Sequence, residues 1–200
     1  MLKFLYRAVI ALAGGFILFG CSATPPPTTT GYLSDYHRLK PGTYLEEFWV
    51  DTSQVKKSES PGIVLGEITA PGITDKEGVT VTDCISWLTT GLLGGAAISD
   101  NKPNAKYRID LAITYMDPGS ASARILAGEF GAGHAKVQIE GKVVDIRRGE
   151  LVATFAERRR ASAAIGMNDL AGDSETGLIE LMIKSISKYV NSELLSTFSL

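Results

Sequence analysis

The sequence predicts an α/β domain of the α+β type: a two-layer sandwich whose mostly antiparallel sheet of about five strands carries two main helices on one face. Three observations predict it. Tyr107–Tyr115 and Ala135–Ile146 alternate apolar and polar residues with a period of two, the mark of half-buried strands. Thr80–Ile98 and the stretch after Ser174 repeat apolar residues at helical spacing instead. The elements run strand, strand, helix, three strands, helix, and helices laid on one side of a sheet bury both apolar faces at once.

Residues 1–20 read as an address rather than as structure. Lys3 and Arg7 make a positive start, and the apolar run Ala8–Phe19 is shorter than the roughly 20 residues a permanent span needs. It ends in Leu18-Phe19-Gly20-Cys21, which resembles the lipobox of bacterial lipoproteins. That resemblance implies cleavage before Cys21, acylation of Cys21 and a membrane anchor made of acyl chains. Each buried CH₂ contributes roughly 0.8 kcal/mol, so two or three chains hold where one does not. By the same resemblance Ser22 after the Cys implies the periplasmic face of the outer membrane, with the inner membrane the other option.

The expected division is a signal peptide at 1–20, then lipidated Cys21 with a tether and a short lead-in at 21–43, then one α/β domain at 44–200. Ser22–Thr30 holds three consecutive prolines among small polar residues, the composition of a spacer. Gly31–Leu39 places Leu33, Tyr36 and Leu39 on one side and predicts a short helix ended by Pro41-Gly42. Tyr44–Val50 and Ile63–Thr69 are strand candidates on either side of a polar break at 51–61. In Thr80–Ile98, Val81, Ile85, Leu88 and Leu92 share a helical face, Thr80 or Thr82 caps the start, and Gly94-Gly95 marks the end. Tyr107, Ile109, Leu111, Ile113 and Tyr115 fall on one face of the next strand, opposite Arg108, Asp110 and Thr114. Val137, Ile139 and Val143 likewise oppose Lys136, Gln138, Glu140 and Lys142. Arg147-Arg148-Gly149 turns the chain into Glu150–Arg158, which makes an antiparallel hairpin. The last helix, capped at Ser174, carries a stripe of Leu178, Leu181, Met182, Ile186, Tyr189, Val190 and Leu194.

Composition narrows the function. Loss of residues 1–20 removes two basic side chains and makes the chain two charges more negative than its formal −2, so nucleic acid is not an expected partner. With Cys21 acylated only Cys84 remains, so no intrachain disulfide forms. A lone Cys in an oxidising compartment survives best when buried, and its apolar neighbours Ile85, Trp87 and Leu88 suit that.

Two stretches carry a family likeness. Tyr32-Leu33-Ser34-Asp35-Tyr36 with Leu39-Lys40-Pro41-Gly42 resembles the opening of the bacterial lipoproteins catalogued as domain of unknown function 3313. Asp117-Pro118-Gly119-Ser120, Arg124, Phe130-Gly131-Ala132-Gly133 and Val144-Asp145 through Gly149 resemble domain of unknown function 4410, also lipoproteins. Neither family implies a reaction.

The chemical motifs are thin. Gly128–Gly133 has the glycines of an anion-binding loop, but it enters a strand rather than opening a helix and lacks Gly-Lys-Ser/Thr. His37 and His134 stand far apart, with no H-x-x-x-H or C-x-x-C, so no metal or cofactor is expected. No serine lies in G-x-S-x-G, and Cys84 has no basic neighbour to activate it. Glu46-Glu47, Asp75/Glu77 and Asp169/Asp173 are the acid pairs, and turn acids are usually solvated. We therefore expect no enzyme. The loop Pro118–His134 is long and holds apolar Ile125, Leu126 and Phe130 beside Gly131 and Gly133, which suits a protein partner or a second copy. Arg158, Arg159 and Arg160 suit an anionic surface or a paired, solvated strand end. The expected function is an anchored, non-enzymatic envelope module that binds protein or supports an assembly. The alternative is binding of a small envelope ligand, a cell-wall fragment or a lipid.

Overall fold

The computed structural model describes residues 29–55, 62–75, 80–95, 98–100, 103, 105–117, 135–160 and 175–199. Cys21, most of the tether and the loop with Ile125, Leu126, Phe130, Gly131 and Gly133 lie outside them.

Seven strands make one sheet: β1 Lys40–Pro41, β2 Glu47–Val50, β3 Gly62–Thr69, β4 Ile98–Ser99, β5 Ala105–Asp117, β6 Lys136–Asp145 and β7 Glu150–Arg160. Their order across the sheet is β1-β2-β7-β6-β5-β3-β4. The sheet is mixed rather than mostly antiparallel. The β1–β2, β2–β7, β7–β6 and β6–β5 ladders are antiparallel, while β3 pairs in parallel with both β5 and β4. The two extra strands are the two-residue edges β1 and β4, too short for alternation to reveal.

Helix α1 (Val81–Leu93) starts as its cap requires: Thr80 Oγ1 accepts from the Asp83 N–H at 3.1 Å and donates to Asp83 Oδ2 at 2.7 Å. It ends at Gly94, where the Gly94-Gly95 pair is expected to end it, and Ile98 belongs to β4. Helix α2 (Glu175–Lys188) runs on through a π-helical turn, Tyr189–Leu194, into α3, Leu195–Ser199. The expected stripe is buried there except Leu181, which is 44% exposed. The two main helices touch closely where Gly91 faces Ile183 and Gly95 faces Ser187, at positions where any Cβ would meet those side chains. Cys84 is buried, with its Sγ 3.7 Å from Met116 Sδ.

Under the helices lies the apolar core, built from Tyr107, Ile109, Leu111, Ile113, Val137, Ile139, Val143 and Phe155 of the sheet. One expectation about its face fails. Thr114 is a bulge, with Ile113 paired to Ile139 and Tyr115 to Gln138. The extra residue reverses the alternation, so Met116 is buried and Tyr115 turns outward to bond Asp117 Oδ2 at 3.4 Å.

The β6–β7 turn is fixed by Asp145, whose Oδ1 accepts from the N–H groups of Arg147 at 3.0 Å and Arg148 at 3.1 Å. Gly149 closes it at φ 68°, where a side chain is strained. Within the hairpin, Gly141 leaves room for the Phe155 ring; a Cβ there would stand 2.3 Å from two ring carbons. Gly141→Ala is expected to destabilise the domain by roughly 1–3 kcal/mol, read from its chemical-denaturation midpoint, because both partners are boxed in.

Candidate functional site

The polar side of β6 is where the sequence reading fails most usefully. Gln138 and Glu140 were expected to face solvent, yet both are fully buried. Residues 29–39 cover them. This lead-in forms turns rather than the expected short helix, and it lies on the sheet face opposite the helices as a partial third layer. Glu140 Oε2 accepts from the Tyr36 hydroxyl at 2.8 Å. Its Oε1 accepts from Thr30 Oγ1 at 2.8 Å, Thr114 Oγ1 at 3.1 Å and Gln138 Nε2 at 2.6 Å. Thr114 stands on this face as the alternation from Asp110 puts it, and the bulge there turns Tyr115 out beside it.

Tyr36 is the knot of the lead-in. Its oxygen also accepts from the N–H groups of Thr30, Gly31 and Leu33, at 3.1, 3.1 and 3.2 Å. One phenol thus folds seven residues and ties them to β6. Beside it Tyr32 lies under Lys142, whose Nζ is 3.9 Å from the ring centroid. Burial, with the nearby Asp110, Glu140 and Glu67 carboxyls, pushes the Tyr32 phenol up to about 12, so it stays protonated at neutral pH. Asp110 grips Arg108 Nε at 2.8 Å and accepts from the Glu67 N–H at 3.2 Å, bridging β5 to the β3 bulge. Thr30, Gly31, Tyr32, Pro71 and Thr114 line an open cavity of about 340 Å³.

A second buried carboxyl, Glu157, lies on the helix side of β7. It accepts from the Glu46 N–H at 2.7 Å and from Arg159 Nε at 2.7 Å. Burial raises its pKa, and the Glu46 N–H and Arg159 only partly oppose that.

The arginines read as one run therefore part. Arg158, with its side chain 6% exposed, pairs with Glu47 at 2.8 Å and Glu46 at 3.4 Å. Arg159 joins Glu157 and Ser185 Oγ, and Arg160 is exposed. Glu46 and Glu47 are thus ion-pair partners of Arg158. Asp117, Lys136 and Arg160 are neighbours in register, so the described residues that flank 118–134 lie beside Arg160. His37 is exposed, while His134, Glu77, Asp169 and Asp173 lie outside the described residues. Among the described residues no group of three or more His, Cys, Asp or Glu gathers as for a metal. Nor is any described helix long and apolar enough to cross a membrane. Sequence reasoning missed Thr30, Tyr36, Thr114, Glu140 and Glu157 as a set; the pairing of Tyr32 and Tyr36 was the sole available hint.

With this geometry in hand, comparison with known proteins adds a family match over part of the chain. Residues 94–166 match the model described as "Domain of unknown function (DUF4410)", the family that the run from Asp117 to Gly149 resembles. No curated protein matches the chain. Solved structures with similar stretches include a PelC dodecamer from Paraburkholderia phytofirmans, at 13% identity, with 64% of this chain and 93% of that one covered and a TM-score of 0.37. The hypothetical protein CT253 from Chlamydia trachomatis overlaps at 11% identity, covering 65% and 98%, with a TM-score of 0.44. Lipoprotein GNA1162 from Neisseria meningitidis does so at 14% identity, covering 66% and 100%, with a TM-score of 0.36. At this degree of overlap they say nothing about activity.

Tyr36→Phe removes one oxygen and four hydrogen bonds. It is expected to cost about 1–3 kcal/mol and to speed amide exchange across residues 30–36 while β6 stays protected. In a cycle with Glu140→Gln the two losses should fall short of additivity by about 0.5 kcal/mol or more. For Glu157, a raised folded-state pKa means that its contribution is full below the unfolded value and is lost as pH rises through the folded value. The stability of Glu157→Gln relative to the parent should therefore climb from acid towards neutral pH, measured by denaturation at each pH.

Proposed function

We propose that this protein is a lipid-anchored, non-enzymatic module of the bacterial envelope that binds protein and supports an assembly. One observation carries the reading. The deepest polar groups of the sheet, Glu140 and Glu157, are spent on holding residues 30–46, the stretch that leads from Cys21 into the domain. Buried acids in an active site are usually left with a face towards substrate. Here Glu140 accepts four donors from the protein itself. A domain that fastens its own attachment segment this firmly suits a part held in place.

The anchor is the acylated Cys21, on the periplasmic face of the outer membrane by the Ser22 rule, or of the inner membrane in bacteria with other rules. The binding surface is the Pro118–His134 loop, with Ile125, Leu126, Phe130, Gly131 and Gly133, delivered beside Arg160. The partner is another envelope protein or a second copy. Two further changes follow. Cys21→Ser should move the protein from the membrane to the soluble fraction and abolish acyl mass on the mature N-terminus. Leu126→Ser with Phe130→Ser should leave membrane association intact but remove the crosslinked species from lightly crosslinked membranes. Unchanged crosslinking would overturn the loop as the contact.

The second reading, a small envelope ligand such as a cell-wall fragment or lipid, is favoured by the cavity against Thr30, Tyr32 and Thr114. Its volume reaches the lower end of ligand sites, roughly 300–1,000 Å³. A clean monomer from crosslinked membranes would move this reading to first place.

A further inference from the structure

We infer that the docked lead-in sets how far the domain stands from the membrane and which face it turns there: the outer face of the sheet towards the lipid headgroups, the helix layer away. This rests on the lipid-anchored reading above.

The chain joins the domain at Thr30, on the outer face, where Thr30 and Tyr36 are bonded to Glu140. About nine residues separate Thr30 from Cys21. An extended chain spans at most about 3.3–3.6 Å per residue, so this reach is about 30 Å. A domain of about 170 residues has a radius of gyration of roughly 15 Å, so a path over its surface from one face to the opposite face runs roughly 60 Å. Acyl chains in the bilayer and a helix layer against the bilayer are therefore incompatible while the lead-in is docked.

Release changes the arithmetic. With the whole lead-in released, Tyr32 from Lys142 and Leu33 from its buried place as well as Tyr36 and Thr30 from Glu140, the next hold is β1, where Lys40 and Pro41 pair with β2. The free chain then has about nineteen residues and a reach of about 65 Å, enough to pass round the domain. The docked lead-in, with Tyr36 on Glu140 at its centre, thus halves the leash. The exposed apolar side chains of the helix layer, Trp87 and Leu181, are held off the bilayer by the same contact.

Two fluorophore positions test this, Glu67→Cys for the outer face and Lys184→Cys for the helix layer; both residues are exposed, and Cys84 is buried out of reach of the reagent. Each lipidated protein is reconstituted in vesicles of phosphatidylethanolamine and phosphatidylglycerol doped with a headgroup nitroxide lipid. The label at position 67 should be quenched at least about twofold more than the label at position 184. Inserting twenty Gly/Ser residues between Ser22 and Thr29, which leaves the clasp untouched, should bring the ratio near one, and Tyr36→Phe should move it the same way. Equal or stronger quenching at position 184 in the uninserted protein overturns the inference, and so does an insertion that leaves the ratio unchanged. Vesicle binding that survives Cys21→Ser instead overturns the anchored reading.

Discussion

Two carboxyl groups buried in one hairpin govern this fold. Ile139 of β6 pairs with Glu157 of β7, and Glu140 pairs with Ala156, so Glu140 and Glu157 stand one register step apart on opposite faces of the sheet. Taking a carboxyl out of water costs several kcal/mol unless donors replace the water it loses. The hairpin supplies some of these, from Gln138 and Arg159. The rest come from outside it, Thr114 from the neighbouring strand and, from far along the chain, Thr30, Tyr36 and the Glu46 N–H. The N-terminal stretch is therefore part of the folded unit rather than an appendage to it, and a domain boundary drawn at residue 44 cuts through its own hydrogen bonds.

The two faces of the sheet are held by different physics. On the helix side, Glu157 apart, the parts fit through size: Gly141 under Phe155, Gly91 against Ile183. On the outer side the contacts are directional. Tyr36 has one oxygen to place and meets three N–H groups and one carboxyl with it. Such a contact adds little to a sum of buried area, yet it allows one arrangement of the covering segment. The bulges serve that arrangement. The bulge in β5 sets Tyr115 beside Thr114 on the outer face, and the irregularity at Gly66-Glu67 in β3 lets Asp110 reach across to a backbone N–H.

Periodicity made most of the fold legible. The long strands β5, β6 and β7, the hairpin turn at Gly149 and both main helices stand within a few residues of where alternation, helical spacing and capping put them. Alternation reports whether a residue is polar, not what covers it. Gln138 and Glu140 look like a solvent face because nothing in β6 announces that residues 29–39 lie on top. Tyr115 was misplaced for a related reason, since a bulge leaves no mark in the pattern it interrupts. The lead-in defeated the reading from the other side: Leu33, Tyr36 and Leu39 have helical spacing, but the Tyr36 oxygen satisfies the N–H groups that a helix would have to bond elsewhere. The arginine run hid its division because consecutive residues of a strand face opposite ways, giving Arg158 to Glu47 and Arg159 to Glu157.

That division bears on where a partner can meet the domain. Arg158 and Arg159 are bound up in holding β2 and α2 to the hairpin, which leaves Arg160 as the exposed member, at the strand end where Asp117 and Lys136 pair. The described residues that flank 118–134 lie at this one place, at the end of two strands locked in a ladder. Thr114 and Glu140 lie only three and four residues in from that same end, roughly 10–13 Å along the strands, and they hold the point at which the chain enters the domain. The lead-in and the residues that flank 118–134 are thereby set against one short length of the central hairpin and its neighbour β5. On the proposed reading, a pull on the lead-in is felt at Glu140 before it reaches the core, so the carboxyl proposed to fix the domain's stance also lies between the proposed membrane tether and the proposed partner surface.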